Sequence, residues 1–251
     1  MAKITIHVDD YGRSPLISKN ILNLVKKKKI NQVSVLMGFV EKKIHKYLAN
    51  KKIKTKLHLN LTENKNYIFN RNKKDTSILE LIFLHKDKRK YVYKEIDKQI
   101  NEYKSLYKKK NISIDGHQHT HFIPWVYKYL VNNKKYKLTD IRYPVEKFNL
   151  VSLSFFLNRY FIRNLFAWSL LKLFSFFNKK INDINFLGIL YTGIYNKLIF
   201  NNQIKKFKNS NIEILVHAGF TDKSEQHMFS KKEFEYYANP KRKTEYNIFI
   251  Q

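Results

Sequence analysis

The chain contains no cysteine among its 251 residues, so disulfides, thiolate metal ligands and cysteine nucleophiles are all excluded. Any metal held by its side chains must therefore bind His, Asp or Glu. Glycine and proline are also scarce, with six and four residues, and no Gly/Ser-rich or Pro-rich linker or internal repeat interrupts the sequence. These absences predict a single domain that covers residues 1–251.

The N-terminus lacks the long apolar stretch of a signal peptide. Its sequence, Met-Ala-Lys-Ile-Thr-Ile-His-Val, has the pattern of a β-strand instead. We therefore expect a cytoplasmic protein.

Acidic residues are few, with 20 Asp and Glu against 49 Lys and Arg, and the formal net charge is +29. A charge of this size attracts anionic partners such as nucleic acid or an anionic membrane surface. Lysine is, however, spread over the whole chain beside abundant Asn and Ile, which also fits drift toward A/T-rich codons. Both explanations stay open at the level of sequence.

Hydrophobic residues make up 43% of the chain and aromatic residues 15%, enough for a substantial core. Seven short segments rich in β-branched or aromatic residues are predicted strands: 4–8, 33–39, 56–61, 112–114, 140–143, 186–191 and 212–216. Helical spacing occupies intervening stretches, for example 15–28, 77–84, 91–109 and 125–132. Alternating strands and helices predict an α/β fold with a parallel sheet or barrel, whose ligands bind at the carboxyl ends of the strands.

Polar side chains follow several predicted strands at just these ends. Asp9 and Asp10 follow the first strand, His58 lies in the third, Arg142 ends the fifth and His217 ends the seventh. Strand alternation predicts that the two aspartates point in different directions, one toward a metal and the other toward water. Arg142 is then placed to orient the catalytic carboxylate, and His217 to protonate a leaving group.

The run Asp-Gly-His-Gln-His-Thr-His carries ionisable residues at every second position: Asp115, His117, His119 and His121. In an extended conformation these side chains would line one wall, as metal ligands, their supporters or substrate contacts. Two histidines and one carboxylate leave open coordination positions, as a hydrolytic metal centre requires. The alternative is an exposed His-rich loop without a metal.

Four strings in the sequence resemble the YdjC-like carbohydrate deacetylases, a family that includes chitooligosaccharide deacetylases and a hopanoid-biosynthesis branch. These strings are His-Val-Asp-Asp-Tyr-Gly, His-Leu-Asn-Leu-Thr, Asp-Gly-His-Gln-His-Thr-His-Phe-Ile-Pro and Val-His-Ala-Gly-Phe. They span residues 7–220, and the third string is the most specific.

The resemblance implies a distorted (β/α) barrel with about seven parallel strands, related to other polysaccharide deacetylases. It implies one divalent metal ion, magnesium or zinc, bound by Asp10, His58 and His117. Asp9 then matches the catalytic base, and His217 matches the general acid. The implied substrate is an N-acetylated sugar, which could be an oligosaccharide, a glycan or a lipid-linked amino sugar.

A Phe/Leu-rich segment at about 150–180 stands out within the chain. Arg159, Arg163 and Lys172 interrupt its apolar runs before they reach the roughly 18 residues of a membrane-spanning helix. The segment predicts a helical insertion that forms a layer on the barrel or a homodimer face, or else one that lies at an anionic membrane surface.

Two other functions compete with deacetylation. The charge alone motivates a nucleic-acid or membrane-surface binding protein on a degenerate barrel. A pure binding module has no use for a carboxylate pair that faces strand-end histidines, which argues against nucleic acid as the partner. The second alternative is another metal-dependent hydrolase on the same scaffold, for example one that acts on a phosphoester.

Overall fold

The computed structural model describes residues 2–63 and 76–250. Its strands are β1 (Ile4–Tyr11), β2 (Gln32–Val35), β3 (Lys54–Leu59), β4 (Ile112–Gly116), β5 (Leu138–Ile141), β6 (Asn185–Leu187) and β7 (Ile212–Val216). They form one sheet in the order β5-β4-β3-β2-β1-β7-β6, and every neighbouring pair is parallel. The predicted parallel α/β fold is confirmed.

Helices occupy most of the connections between these strands. They are α1 (Pro15–Lys26), α2 (Lys42–Ala49), α3 (Ile78–Ile82), α4 (Arg89–Tyr107), α5 (Pro124–Asn132), α6 (Arg159–Phe174), α7 (Lys197–Lys206), α8 (Lys231–Tyr237) and α9 (Pro240–Ile250). Helix α1 shows why they form, because Ser14 caps it by accepting a hydrogen bond from the Ile17 amide and proline follows at the first position. The helix then buries Ile17, Ile21 and Leu24, which recur at helical spacing.

The sheet curls until its two edge strands face each other. Within the described residues β5 and β6 are not joined by backbone pairing, but the Arg142 guanidinium lies 5.5 Å from the centre of the Phe186 ring. The buried Glu146 carboxylate also accepts hydrogen bonds from three successive backbone amides just after β6, at 2.6, 3.1 and 2.9 Å. Side chains therefore close this distorted barrel where the strand ladder does not.

Two strands are shorter than the sequence predicts. The predicted strand 33–39 ends at Val35, and the chain turns at Gly38, whose φ is +86°. The predicted strand 186–191 ends at Leu187, because Gly188 has a φ of +123° and approaches β7 so closely that a Cβ would lie 2.6 Å from the Leu215 carbonyl oxygen. In both cases a left-handed glycine stops a run of apolar residues from remaining extended.

The Phe/Leu-rich segment forms a short 3-10 turn, Leu153–Leu157, followed by α6. Phe161, Leu171 and Phe174 on one side of α6 are buried and belong to the hydrophobic core. Within residues 2–63 and 76–250, no helix is long and apolar enough to cross a membrane.

Candidate metal centre

The two adjacent aspartates at the end of β1 converge on the same histidine. The pairing of β1 with β2 is irregular between Val8 and Tyr11, and Asp10 adopts a left-handed φ of 73°. His58 Nε2 consequently lies 3.7 Å from Asp9 Oδ2 and 3.6 Å from Asp10 Oδ1. The expectation that strand alternation separates the two carboxylates is therefore wrong, because this irregularity interrupts the alternation. A strained backbone at this position is typical of functional sites.

Asp10, His58 and His117, here called the metal triad, offer ligand atoms that all lie within 4.8 Å of one another. All three side chains are buried, and His117 Nδ1 lies 3.3 Å from Asp10 Oδ1. Among the described residues, this Asp10 oxygen has no hydrogen-bond partner. A buried carboxylate oxygen without a partner is unfavourable unless something else binds it, and imidazole with carboxylate is a common donor set for divalent cations. The triad therefore fits a divalent metal ion.

Two further carboxylates orient the imidazoles of the metal triad. Asp115 Oδ1 lies 2.7 Å from His58 Nδ1, and Glu63 Oε1 lies 2.8 Å from His117 Nε2. If each carboxylate accepts a hydrogen bond from its histidine, the other ring nitrogens, His58 Nε2 and His117 Nδ1, keep lone pairs that face Asp10. This carboxylate–histidine arrangement fixes the tautomer and raises the basicity of a metal-bound imidazole.

The electrostatics of the metal triad also favour a cation. Burial lowers the pKa of His58, but Asp9 and Asp115 outweigh it and raise this pKa to about 10. The pKa of His117 is raised to about 9 because Glu63 and Asp10 outweigh the same effect of burial. The surrounding carboxylates thus favour positive charge at both imidazole rings. A bound divalent cation would take the place of the second proton on each ring.

A second buried group with metal-ligand chemistry lies next to the first. Its members, His7, Asp9 and Asp115, also bring ligand atoms within 4.8 Å of one another, and we call them the filled triad. The Arg142 guanidinium donates to Asp9 at 2.8 and 2.9 Å and lies 2.8 Å from Asp115. Burial raises the pKa of Asp9, but Arg142 outweighs it and holds the pKa at about 2. Arginine thus supplies the positive charge that a metal would supply elsewhere.

Deeper in the barrel the buried charges remain paired. Glu213 accepts a hydrogen bond from Arg142 Nε at 2.9 Å and lies 2.8 Å from His7 Nδ1. Lys56 Nζ lies 3.1 Å from Glu213 Oε2 and 2.8 Å from Asp140 Oδ2. Burial raises the pKa of Glu213, but Lys56, His7 and Arg142 outweigh it and hold the pKa well below its usual value. The filled triad therefore belongs to a larger network of compensated charge.

The three histidines after β4 do not line one wall, contrary to the expectation for an extended run. The chain leaves the sheet at Gly116 and forms a 3-10 turn, His117–Phe122, with a left-handed φ at His119. Of these three histidines, only His117 belongs to the metal triad. His121 Nε2 lies 3.0 Å from the Arg142 carbonyl oxygen, and the His119 ring lies 6.2 Å from the Phe186 ring. The turn sends alternate residues in different directions, which period-two reasoning does not anticipate.

His217 follows β7 directly and lines a narrow pocket beside the metal triad. Burial and the nearby Arg242 lower its pKa to about 4, although Asp10 and Asp9 act in the opposite direction. Arg242 Nη2 donates to Asp10 Oδ2 at 3.0 Å, so this carboxylate has one oxygen bound and the other free for a metal. The remaining lining residues are Tyr160, Arg163, Thr192, Gly193, Tyr236, Asn239, Lys241 and Glu245.

Sequence reasoning missed several residues that touch the site. Ser34 is one of them, because its hydroxyl donates to Asp115. The others are His7, Lys56, Glu63, Glu213 and Arg242. A period-two signal was available for two of them, because His7 and Lys56 lie two residues before Asp9 and His58. Glu63 ends the string His-Leu-Asn-Leu-Thr-Glu, but no pattern in the sequence predicts its contact with His117. Arg242 comes from α9, and nothing in the sequence signals its approach to β1.

The curled sheet and the buried metal triad define a (β/α)-barrel protein with a candidate metal centre at the carboxyl ends of its strands. The YdjC-like protein family model matches residues 3–251, and the chain belongs to this family. Its fold is similar to that of a protein from Enterococcus faecalis whose crystal structure is described as a "putative cellobiose-phosphate cleavage protein". The TM-score is 0.57 at 18% sequence identity, and the match covers 100% of this chain and 91% of that one. No curated protein matches the chain significantly.

Proposed function

We propose that this protein is a carbohydrate-processing enzyme, a metal-dependent deacetylase that hydrolyses the acetamide of an N-acetylated sugar. The observation that carries the proposal is the metal triad, with the unpartnered buried oxygen of Asp10, in a member of the YdjC-like family. Asp10, His58 and His117 would hold the cation. A divalent cation at such a site polarises a carbonyl group and lowers the pKa of water.

Asp9 is the proposed base. Its Oδ2 lies 3.7 Å from His58 Nε2, which places the carboxylate beside the metal triad. Two hydrogen bonds from Arg142 fix the carboxylate in one orientation. Arg142 also holds the pKa of Asp9 at about 2, against the tendency of burial to raise it. Asp9 is therefore ionised at neutral pH, as a base must be, although a pKa this low makes it a weaker base than an ordinary carboxylate.

His217 is the proposed donor to the leaving nitrogen. Because burial and Arg242 lower its pKa to about 4, the imidazole is uncharged at neutral pH. It must therefore receive a proton during the reaction before it can deliver one to the amine. Arg242, which is bound to Asp10, stays positively charged beside it throughout.

The narrow pocket that contains His217 is lined by the kinds of group that contact sugars. Tyr160 and Tyr236 provide aromatic rings, and Arg163 and Lys241 provide hydrogen-bond donors around them. Apolar faces combined with a few polar groups are typical of small-molecule sites. His119, which interacts electrostatically with Arg142 and His217, is a further candidate for substrate contact.

The test is acetate release from a panel of N-acetylated sugars, both free and lipid-linked, by protein depleted of metal and then restored with zinc or magnesium. Because the Enterococcus faecalis neighbour is described in terms of cellobiose phosphate, the panel includes phosphorylated disaccharides. We expect release that depends on metal and is abolished in Asp10→Asn. Metal-dependent release of phosphate without acetate would instead identify another hydrolase on this scaffold and contradict the proposal.

A further inference from the structure

The segment from Phe148 to Ile184 exposes an unusual number of large apolar side chains. Leu157 is 91% exposed, Phe176 79% and Phe166 74%. The others are Phe148, Leu153, Phe156, Ile162, Leu173, Phe177, Ile181 and Ile184. We call these eleven side chains the outer apolar face. Large apolar side chains exposed together in one segment of a protein often mark an interaction site.

Helix α6 explains how this face arises, because it is apolar on both sides. Its inner side packs into the core through Phe161, Leu171 and Phe174. Its outer side carries Ile162, Phe166 and Leu173, which are spaced so that they lie along one stripe of the helix. A surface helix needs only its inner side to be apolar for packing. The outer apolar stripe therefore indicates a surface that binds a partner.

The charge around the outer apolar face indicates the kind of partner. Residues 147–184 contain one acidic residue, Asp183, and six basic residues: Lys147, Arg159, Arg163, Lys172, Lys179 and Lys180. Asp183 lies 3.4 Å from Lys180 Nζ, which leaves the other five basic side chains in excess. A second copy of the chain would bring the same basic surface against itself, on a molecule of net charge +29. An anionic partner complements this charge. Nucleic acid is anionic but would leave the aliphatic side chains exposed, whereas a partner with an apolar interior would also bury them.

We propose that the outer apolar face binds an anionic lipid bilayer, with α6 lying parallel to the membrane plane. The apolar stripe inserts below the headgroups, and the flanking basic side chains contact lipid phosphates. Tyr160 and Arg163, at the start of the same helix, line the pocket that contains His217. Bilayer binding does not depend on the proposed enzymatic activity, but it brings the pocket next to lipid-linked substrates.

The first experiment is co-sedimentation of the full chain with phosphatidylcholine vesicles that contain or lack phosphatidylglycerol, at low and high salt. We expect binding only to the anionic vesicles, weakened by salt. The double variant Phe166→Ser/Leu173→Ser should bind at least about tenfold more weakly, because it loses apolar insertion. The matched control Phe83→Ser/Leu198→Ser removes side chains that are 81% and 64% exposed elsewhere, and it should bind normally.

The basic side chains are tested with a second matched pair. Lys172→Gln/Lys179→Gln should weaken binding at low salt by about tenfold, whereas Lys27→Gln/Lys29→Gln, which removes two exposed charges outside this segment, should have little effect. If both double variants weakened binding equally, net charge alone would explain the attraction to the vesicles, and the proposal would be overturned.

Three other results would also overturn it. The first is absence of binding to anionic vesicles at low salt. The second is a dimer in solution that Phe166→Ser/Leu173→Ser dissociates, which would assign the face to a second copy. The third is binding of single-stranded DNA that this double variant abolishes while vesicle binding persists, which would assign the face to nucleic acid.

Discussion

The metal triad and the filled triad lie side by side in the barrel and are built from the same residue types. Both bring histidine and aspartate atoms within 4.8 Å of one another, and both are buried. They differ in what compensates their charge. Arg142 is bound to both aspartates of the filled triad, whereas within the described residues Asp10 Oδ1 of the metal triad accepts no hydrogen bond and has only the two histidine nitrogens nearby, at 3.3 and 3.6 Å. Residue composition alone thus does not distinguish the two triads, whereas the charge that compensates each of them does.

Arg142 is the residue whose removal should have the largest effect on this comparison. Arg142→Met leaves Asp9, Asp115 and Glu213 without their shared counter-ion in a buried site. We expect a loss of about 3–5 kcal/mol in the free energy of unfolding, measured by urea denaturation. Arg159→Met, which removes an exposed arginine, should change this free energy little. Equal stability of the two variants would show that the charge network does not support the fold.

Asp9 connects the two triads, and its replacement tests the proposed base. Asp9→Asn should retain the metal, because Asp9 is not in the metal triad, yet reduce turnover by roughly 100-fold or more, the scale of a lost general base. Asp140→Asn, which alters the carboxylate 2.8 Å from Lys56 Nζ, should retain most of the turnover. Near-normal turnover in Asp9→Asn would assign the base to another residue.

Glu63 should have a smaller effect, because it acts on the metal through His117. Glu63→Gln keeps the shape of the side chain but removes the charge 2.8 Å from His117 Nε2. We expect metal affinity to fall by about 10- to 100-fold, as measured by calorimetric titration. Glu233→Gln is the matched control, because Glu233 also pairs with Arg13 but, among the described residues, forms no ion pair with His117. Unchanged affinity in Glu63→Gln would remove Glu63 from the site.

Acid pH should weaken the network around the filled triad gradually. Burial raises the pKa of Glu213, but Lys56, His7 and Arg142 outweigh it, so the folded-state pKa lies well below the ordinary value of 4.5. A carboxylate with a lowered pKa stabilises the fold fully above its ordinary pKa and loses that contribution as the pH falls toward the folded-state value. Unfolding free energies measured below pH 4.5 should therefore fall less steeply in Glu213→Gln than in wild type. Glu41→Gln, at an exposed site, should retain the wild-type slope.

The sequence predicted the positions of the seven strands along the chain and their parallel arrangement, because β-branched segments and period-two patterns reflect local packing. It failed where the chain leaves regular geometry. Left-handed backbone at Gly188 and His119 ended extended runs early, and the irregularity at Asp10 turned two carboxylates together. It also failed for partners distant in sequence, since the contact between Arg242 and Asp10 depends on how α9 packs.

The filled triad was not recognisable from the sequence for a related reason. The contact between Arg142 and Asp9 agrees with the expectation that Arg142 orients the catalytic carboxylate. That Arg142 also binds Asp115 and Glu213 depends on how far the sheet curls. Glu213 lies in an apolar strand where a single charge gives little signal of its partners. The two triads therefore differ in the side chains that pair with them across the barrel, and a local sequence pattern does not predict such pairing.

The most direct test is metal content after loading with zinc and removal of free ion, measured for wild type, His117→Ala and His7→Ala. The two variants each remove one buried histidine, one from each triad. We predict one zinc per chain in wild type and in folded His7→Ala, and none in His117→Ala, with circular dichroism as the control for folding. Zinc retained by His117→Ala, or lost from folded His7→Ala, would contradict the assignment of the metal to Asp10, His58 and His117.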